Sequence, residues 1–212
     1  MSAHPTPHAE FPLGPFHPYE KNPILSPQGD GWESANVYNP AAVVKDGKVV
    51  LLYRAHADDI VSHVGLATSD DGIHFERHPD PVLSPTEPYE EFGAEDPRVT
   101  EVDGTYYMTY TGWDRKSGLL CLATSTDLYT WTKHGPMFPD FNTFLPQGNG
   151  QDAPWSKAGG ILPVPIIPGN GLILMLHNAP VKTPDGSMRH SCGQLLGVAT
   201  YKVGDRYSDL GE

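Results

Sequence analysis

Residues 42–53 read AVVKDGKVVLLY, and residues 99–110 read VTEVDGTYYMTY. Each stretch is an alternating apolar run interrupted by an Asp-Gly pair, which is a favoured two-residue turn of a β-hairpin. The pairs Asp46-Gly47 and Asp103-Gly104 lie 57 residues apart. We therefore predict two copies of one hairpin.

A second hairpin is predicted after each first one. Residues 65–69 (GLATS) lead to Phe75, and residues 121–125 (CLATS) lead to Trp131, at an offset of 56. Each repeat then has four strands, and four-stranded repeats of this length are typical of propeller blades, which bury their faces by stacking on one another. The sequence predicts an all-β fold of the β-propeller type.

A third, degraded copy follows the first two. Its predicted parts are residues 159–163, a turn at 169–171, a strand at 172–176, and residues 196–200. We predict a single domain over 1–212, with blades at about 36–92, 93–150 and 151–212. Because about four blades are needed to close a propeller and remove its sheet edges, we expect the 212 residues to be a partial propeller.

Composition narrows the class of partner. The formal net charge is −12 without a basic cluster, which argues against nucleic acid and favours a neutral ligand such as a sugar. No signal peptide or membrane span is apparent, so we expect a cytoplasmic protein. Cys121 and Cys192 are predicted to be buried small residues rather than a disulfide or metal pair.

Two polar residues occupy equivalent positions in the first two repeats. Asn39 and Asp96 each precede a proline, at the start of what would be the innermost strand, so we expect their side chains to lie close together near the propeller axis. The alternative is that both residues only cap the turn that enters a strand. For Asp96 the neighbouring Glu95 and Arg98 favour a functional role.

Six segments together carry a resemblance to a known family. They are NPILSP at 22–27, VYNPA at 37–41, LYRA at 52–55, ATSDDG at 67–72, EDPR at 95–98 and SKAGG at 156–160. With them the sequence resembles glycoside hydrolase family 130 over roughly residues 22–178. The resemblance implies a five-bladed, furanosidase-like propeller and an inverting phosphorolysis of β-1,4-mannosides to α-mannose 1-phosphate. Residues 119–136 most resemble the branch that acts on mannosyl-glucose.

The resemblance also implies roles for single residues. Asp96 matches the general acid, whose proton would pass through a hydroxyl of the bound mannose, and Asn39 matches a residue that holds this mannose, with Glu95 and Arg98 beside them. Phosphate ligands would be Arg54, Arg115, Lys157 and His177. Arg54 stands out independently, since an unpaired guanidinium in the apolar strand at 49–55 would be costly.

Phosphate would be a co-substrate, and neither a cofactor nor a metal is expected. The resemblance implies that homo-oligomers can form. One departure is His177-Asn178, where the family has His-Arg. Trp32, Trp113 and Trp155 could stack on sugar rings or belong to the core.

Two other functions remain open. A β-mannoside hydrolase would lack the phosphate ligands and would need a second carboxylate as base. A glycan-binding fragment without turnover would bind sugar weakly and show no dependence on phosphate.

Overall fold

The computed structural model describes residues 17–116 and 118–137 and the backbone of strands within 157–165, 172–178, 181–182, 188–189 and 196–202. These residues form antiparallel sheets, and the only helical turn among them is a 3-10 helix at Pro88–Glu90. The predicted all-β class is confirmed. None of the described helical segments is long and apolar enough to cross a bilayer.

The first sheet is a four-stranded meander of consecutive strands. Its strands are β1 (Asn36–Lys45), β2 (Lys48–His56), β3 (His63–Ser69) and β4 (Glu76–Arg77), in that order. Asp46 and Gly47 have φ values of 51° and 79°, and Lys45 pairs with Lys48. Positive φ at both central residues is what a type I′ turn requires, so the predicted hairpin is confirmed.

The second sheet repeats this plan. It consists of β5 (Gly93–Val102), β6 (Thr105–Trp113), β7 (Gly118–Ser125) and β8 (Thr132–Pro136). Asp103 and Gly104 have φ values of 50° and 78°, as in the first sheet. The predicted repeat is therefore present in the backbone of both sheets.

A third sheet follows, built from β9 (Lys157–Pro165), β10 (Leu172–Asn178) and β13 (Leu196–Lys202), with β10 in the middle. A small hairpin of β11 (Val181–Lys182) and β12 (Met188–Arg189) lies between β10 and β13 in the chain. The strands predicted at 172–176 and 196–200 are confirmed, whereas the turn predicted at 169–171 lies outside the described residues. The division into blades and their total number stay predictions.

The first two sheets pack face to face around one apolar core. Leu52, Val64 and Leu66 of the first sheet meet Ala94 and Met108 of the second, and all five are almost fully buried. Strands β1 and β9 both lie against β5. The first strands of the three sheets are therefore neighbours, which brings residues near the start of β1 and β5 to a common centre.

A buried acidic residue ties each of the first two sheets to the segment before it. Glu33 Oε2 accepts hydrogen bonds from Tyr53 Oη (2.9 Å) and Arg77 Nη1 (2.7 Å). In the second sheet Lys133 Nζ binds Glu90 Oε1. Glu33 and Glu90 are 57 residues apart, so the repeat includes a buried Glu-cation pair that the sequence analysis missed.

Candidate active site

The candidate site lies where β1 meets β5. Asn39 Nδ2 donates a hydrogen bond to Asp96 Oδ1 over 2.6 Å, and the Asp96 side chain is buried. The expectation that these two equivalent residues meet is correct. The contact joins two sheets across 57 positions of sequence, so it depends on how the sheets pack.

Both residues adopt a backbone conformation that is unusual outside glycine. Asn39 has φ of 49° and Asp96 has φ of 52°, and the strand register slips at each, between Tyr38 and Ala41 and between Glu95 and Arg98. A bulge of this kind turns a side chain away from the normal alternation of the strand. Asn and Asp adopt this conformation more readily than other non-glycine residues, and its recurrence at two equivalent positions shows that the bulge belongs to the repeat.

Arg54 on β2 links the two acidic residues of β5. Its Nη1 donates to Asp96 Oδ1 at 3.1 Å, and its Nη2 donates to Glu95 Oε1 at 2.6 Å. The Arg54 side chain is only 14% exposed, so the guanidinium and both carboxylates form a largely desolvated cluster. The cost of burying Arg54, noted from the sequence, is offset by these charge-assisted hydrogen bonds.

Residues that the sequence analysis did not single out complete the surroundings of Arg54. Ser62 is fully buried; its Oγ accepts a hydrogen bond from Arg54 Nε at 2.9 Å and donates one to Glu95 Oε1 at 3.3 Å. The ring of Tyr38 lies under the guanidinium, 4.6 Å from its Cζ. Burial is the main cause that raises the pKa of Tyr38, so its phenol is neutral near neutral pH. Three of the five guanidinium N–H groups are thus used by described residues.

Two other predicted arginines lie apart from this cluster. Arg98 is exposed, and its Nη1 donates to the carbonyl oxygen of Pro97. Arg115 is also exposed, in the loop between β6 and β7, and its Cζ lies 3.7 Å from the centre of the Phe92 ring. This loop follows Trp113, which pairs with Gly93 at the start of β5, so Arg115 lies at the same edge of the sheet as Asp96.

Lys157 and His177 are placed by their backbone. Lys157 is the first residue of β9 and pairs with Asn178 of β10, the residue after His177. Both therefore lie at one end of the third sheet, whose strand β9 is next to β5.

The tryptophans differ in their surroundings. Trp32 stacks on Tyr53, with ring centres 6.2 Å apart, and its Nε1 donates to the carbonyl oxygen of Pro79, so it belongs to the core. Trp113 is half-buried at the end of β6, and Trp155 lies outside the described residues.

Cys121 is free and buried, as predicted, and burial raises the pKa of its thiol to about 12. Cys192 lies outside the described residues. Across residues 17–116, 118–137 and the described strands, no group of three His, Cys, Asp or Glu residues is arranged to hold a metal ion.

The cluster combines a buried carboxyl group with two hydrogen-bond donors. Asp96 is a buried carboxylate with an amide donor on one side and a guanidinium on the other, at the meeting point of two sheets. Glu95 and Asp96 both accept hydrogen bonds from Arg54. The two carboxylates therefore lie side by side, and they do not face each other across a gap that could hold a sugar ring. Glu95 is held by both Arg54 and Ser62.

Comparisons with known proteins find similarity to enzymes that act on mannosides. The family model described as β-1,4-mannooligosaccharide phosphorylase matches residues 19–196. The chain is 37% identical over 166 residues to 1,2-β-oligomannan phosphorylase of Thermoanaerobacter sp. (strain X514), covering 73% of this chain and 50% of that protein. It is 40% identical over 129 residues to β-1,2-mannobiose phosphorylase of the same strain, covering 53% and 43%.

The chain is also similar to a solved structure. It was described in work showing that this family of mannoside phosphorylases contains glycoside hydrolases that target β-1,2 mannosidic linkages in Candida mannan. The chain matches it with a TM-score of 0.63 and 34% identity over 81% of this chain and 59% of that one. The chain spans about half the length of the curated relatives it matches.

Proposed function

The chain belongs to glycoside hydrolase family 130, and we propose that it carries out the inverting phosphorolysis of β-mannosides to α-mannose 1-phosphate. The observation that carries the proposal is the convergence of the Asn39 amide and the Arg54 guanidinium on the carboxylate of Asp96. It supports the proposal because it brings a carboxyl group, an amide donor and a cation together, with Asp96 buried and Asn39 exposed.

In the proposed reaction, an oxygen of phosphate forms a bond to the anomeric carbon of mannose while the bond to the leaving sugar breaks. The proton of Asp96 passes through a mannose hydroxyl to the leaving oxygen, as the resemblance implies. Since phosphate is already a nucleophile, no second carboxylate is needed to activate water. The pairing of Glu95 with Arg54 and Ser62 supports this assignment, because it occupies the neighbouring carboxylate.

Phosphate would be held by positive groups around Asp96. Arg54 offers the planar donors that suit a phosphate oxygen, and Arg115, Lys157 and His177 are the proposed further ligands. Asn39 is proposed to hold the mannose. Glu95 and Arg98 are the further proposed substrate-binding residues, and Arg98 would have to exchange its bond to the Pro97 carbonyl oxygen for one to the sugar. No cofactor is proposed.

The similarities point to two different glycosidic linkages in the substrate. Residues 119–136 resemble the branch that acts on β-1,4-mannosyl-glucose, whereas the two curated relatives are named for β-1,2 linkages. We propose β-mannosides as the class and test both linkages.

The test is the release of α-mannose 1-phosphate, measured by phosphorus NMR, from β-1,4-mannosyl-glucose, β-1,4-mannobiose and β-1,2-mannobiose with and without phosphate. We expect phosphate-dependent product that falls by at least about 100-fold in Asp96→Asn, the usual scale for removing a general acid. Asp103→Asn in the turn between β5 and β6 makes the same chemical change away from the site and is the matched control.

A second candidate is a β-mannoside hydrolase, favoured by the similarity to a structure from work on hydrolases that target β-1,2 linkages. The same assay separates the two. Free mannose released equally with and without phosphate would replace the phosphorylase proposal by the hydrolase, and binding of mannoside without turnover would favour the glycan-binding function.

A further inference from the structure

Tyr38 is the residue before Asn39, and its ring covers one face of the Arg54 guanidinium at 4.6 Å. Arg54 is already held at its edges, by Ser62 at Nε, by Asp96 at Nη1 and by Glu95 at Nη2. Hydrogen bonds at the edges fix the position of a planar group but leave it free to tilt. A ring under one face opposes that tilt, because a cation is attracted to the negative face of an aromatic ring.

The Tyr38 ring is itself held on another side. His56 meets it edge to face, with ring centres 5.8 Å apart and an interplanar angle of 90°. The His56 ring is buried, and its Nδ1 lies 2.7 Å from the carbonyl oxygen of Ala57. An imidazole with a proton on Nδ1 can donate to this oxygen, which leaves Nε2 to accept from Asn36 Nδ2 at 3.4 Å.

A purely structural role for Tyr38 fits the observations less well. The residue is half-buried and is absent from the two apolar core clusters of the sheets. Its aromatic contacts among the described residues are with His56 and Arg54. It also immediately precedes the slip in register at Asn39, so its ring direction is set by the same bulge that aims Asn39 at Asp96.

We propose that Tyr38 is a positioning residue that holds the Arg54 guanidinium in the plane in which it meets Glu95, Asp96 and the attacking phosphate. The part that concerns phosphate rests on the proposed function. The part that concerns Arg54 does not, since it follows from the contacts of the protein alone.

The test uses three variants of the full chain. Tyr38→Phe keeps the ring and loses the hydroxyl, whereas Tyr38→Leu loses the ring. Tyr129→Leu is the control, because it removes an exposed tyrosine from the turn that precedes β8. The first readout is the Nε–H signal of Arg54 in side-chain nitrogen NMR, assigned by its loss in Arg54→Lys; the chain has six arginines, so the spectrum is simple.

We expect the Arg54 Nε–H signal to be sharp and slow to exchange in the wild type, Tyr38→Phe and Tyr129→Leu. In Tyr38→Leu it should broaden and exchange faster. An unchanged signal in Tyr38→Leu would overturn the proposal whether or not the chain is a phosphorylase.

The second readout is steady-state kinetics, with phosphate varied at saturating mannoside and mannoside varied at saturating phosphate. We expect Tyr38→Leu to raise the KM for phosphate by about 5- to 30-fold, the scale of a desolvated cation–π contact, while the KM for mannoside changes little and Tyr38→Phe restores the wild-type value. An equal fall of kcat in all Tyr38 variants with no change in phosphate KM would overturn the positioning role. Absence of product in the wild type would defeat the proposed function, and the NMR result alone would then decide the role of Tyr38.

Discussion

Asn39 and Asp96 are joined by a 2.6 Å hydrogen bond between two sheets, and each residue has a φ near 50°. Glycine adopts positive φ without strain, so Asn39→Gly removes the amide while the backbone stays accessible. We expect kcat/KM for phosphorolysis to fall by about 10- to 150-fold, the rate equivalent of losing a hydrogen bond to a charged group of about 1.5–3 kcal/mol. The melting temperature should stay the same or fall, because the relief of strain at Asn39 only partly offsets the lost hydrogen bond.

Asp46→Gly is the matched control for this change, because Asp46 has a φ of 51° in an exposed hairpin turn. It should relieve similar strain with no effect on activity. Full activity in Asn39→Gly would show that the contact with Asp96 serves only the fold.

The Arg54 cluster should contribute strongly to stability. Arg54→Met leaves the buried carboxylates of Glu95 and Asp96 without the guanidinium, and breaking a buried ion pair costs about 3–5 kcal/mol. We expect urea denaturation to show a loss of this size, with part of it recovered in Arg54→Met/Glu95→Gln, where one negative charge is removed. Lys48→Met, which breaks an exposed pair with Asp70, should change stability little. No recovery in the double variant would contradict the view that Glu95 is held chiefly by Arg54.

The hairpins and the meeting of Asn39 with Asp96 could be predicted from sequence, because both follow from the repeat: Asp-Gly sets each turn, and equivalent positions in stacked sheets lie close together. The partners of Arg54 could not be predicted in this way. Whether its guanidinium faces phosphate or Glu95 depends on the packing distance between β2 and β5, and the stacking of Arg115 on Phe92 depends on the path of a loop. Glu33 and Glu90 share the 57-residue offset of the repeat, but only their contacts with Arg77 and Lys133 show that both form buried ion pairs.

The two equivalent tyrosines provide a matched pair. Tyr53 Oη donates to Glu33 Oε2 over 2.9 Å, whereas Tyr110 Oη lies near Glu90 without a hydrogen bond of normal geometry among the described residues. We expect Tyr53→Phe to lower the free energy of unfolding by about 1.5–3 kcal/mol, as for a hydrogen bond to a charged group, and Tyr110→Phe to change it by less than about 0.5 kcal/mol. Equal losses in the two variants, measured by urea denaturation, would contradict this difference.

Gly65 has no room for a side chain because the rings of Trp32 and Tyr53 cover it. A Cβ at this position would lie 2.5 Å from Trp32 Cη2 and 2.5 Å from Tyr53 Cζ, so Gly65→Ala should cost about 1–3 kcal/mol through overpacking. The equivalent pair in the second sheet is Cys121 and Tyr89, a larger residue facing a smaller ring. We therefore expect Trp32→Tyr to offset part of the cost of Gly65→Ala, seen as a non-additive double-mutant cycle. Additive losses would show that the Trp32 ring is not the obstacle.

His63 should make stability depend on pH. Burial lowers the pKa of His63 below its usual 6.5, with Asp59 acting weakly in the opposite direction, and the ring lies edge-on to Trp32 with Nδ1 3.0 Å from Ser84 Oγ. The folded protein therefore binds this proton less readily than the unfolded chain. Between the lowered pKa and 6.5 the unfolded state holds more protons, so stability rises with pH through this window and levels off above it.

The chain has ten histidines, so the measurement is the difference in unfolding free energy between wild type and His63→Asn, followed from pH 5 to 8. We expect the wild type to gain stability relative to the variant as the pH rises towards 6.5, and a difference independent of pH would show that the burial of His63 has no effect on its protonation.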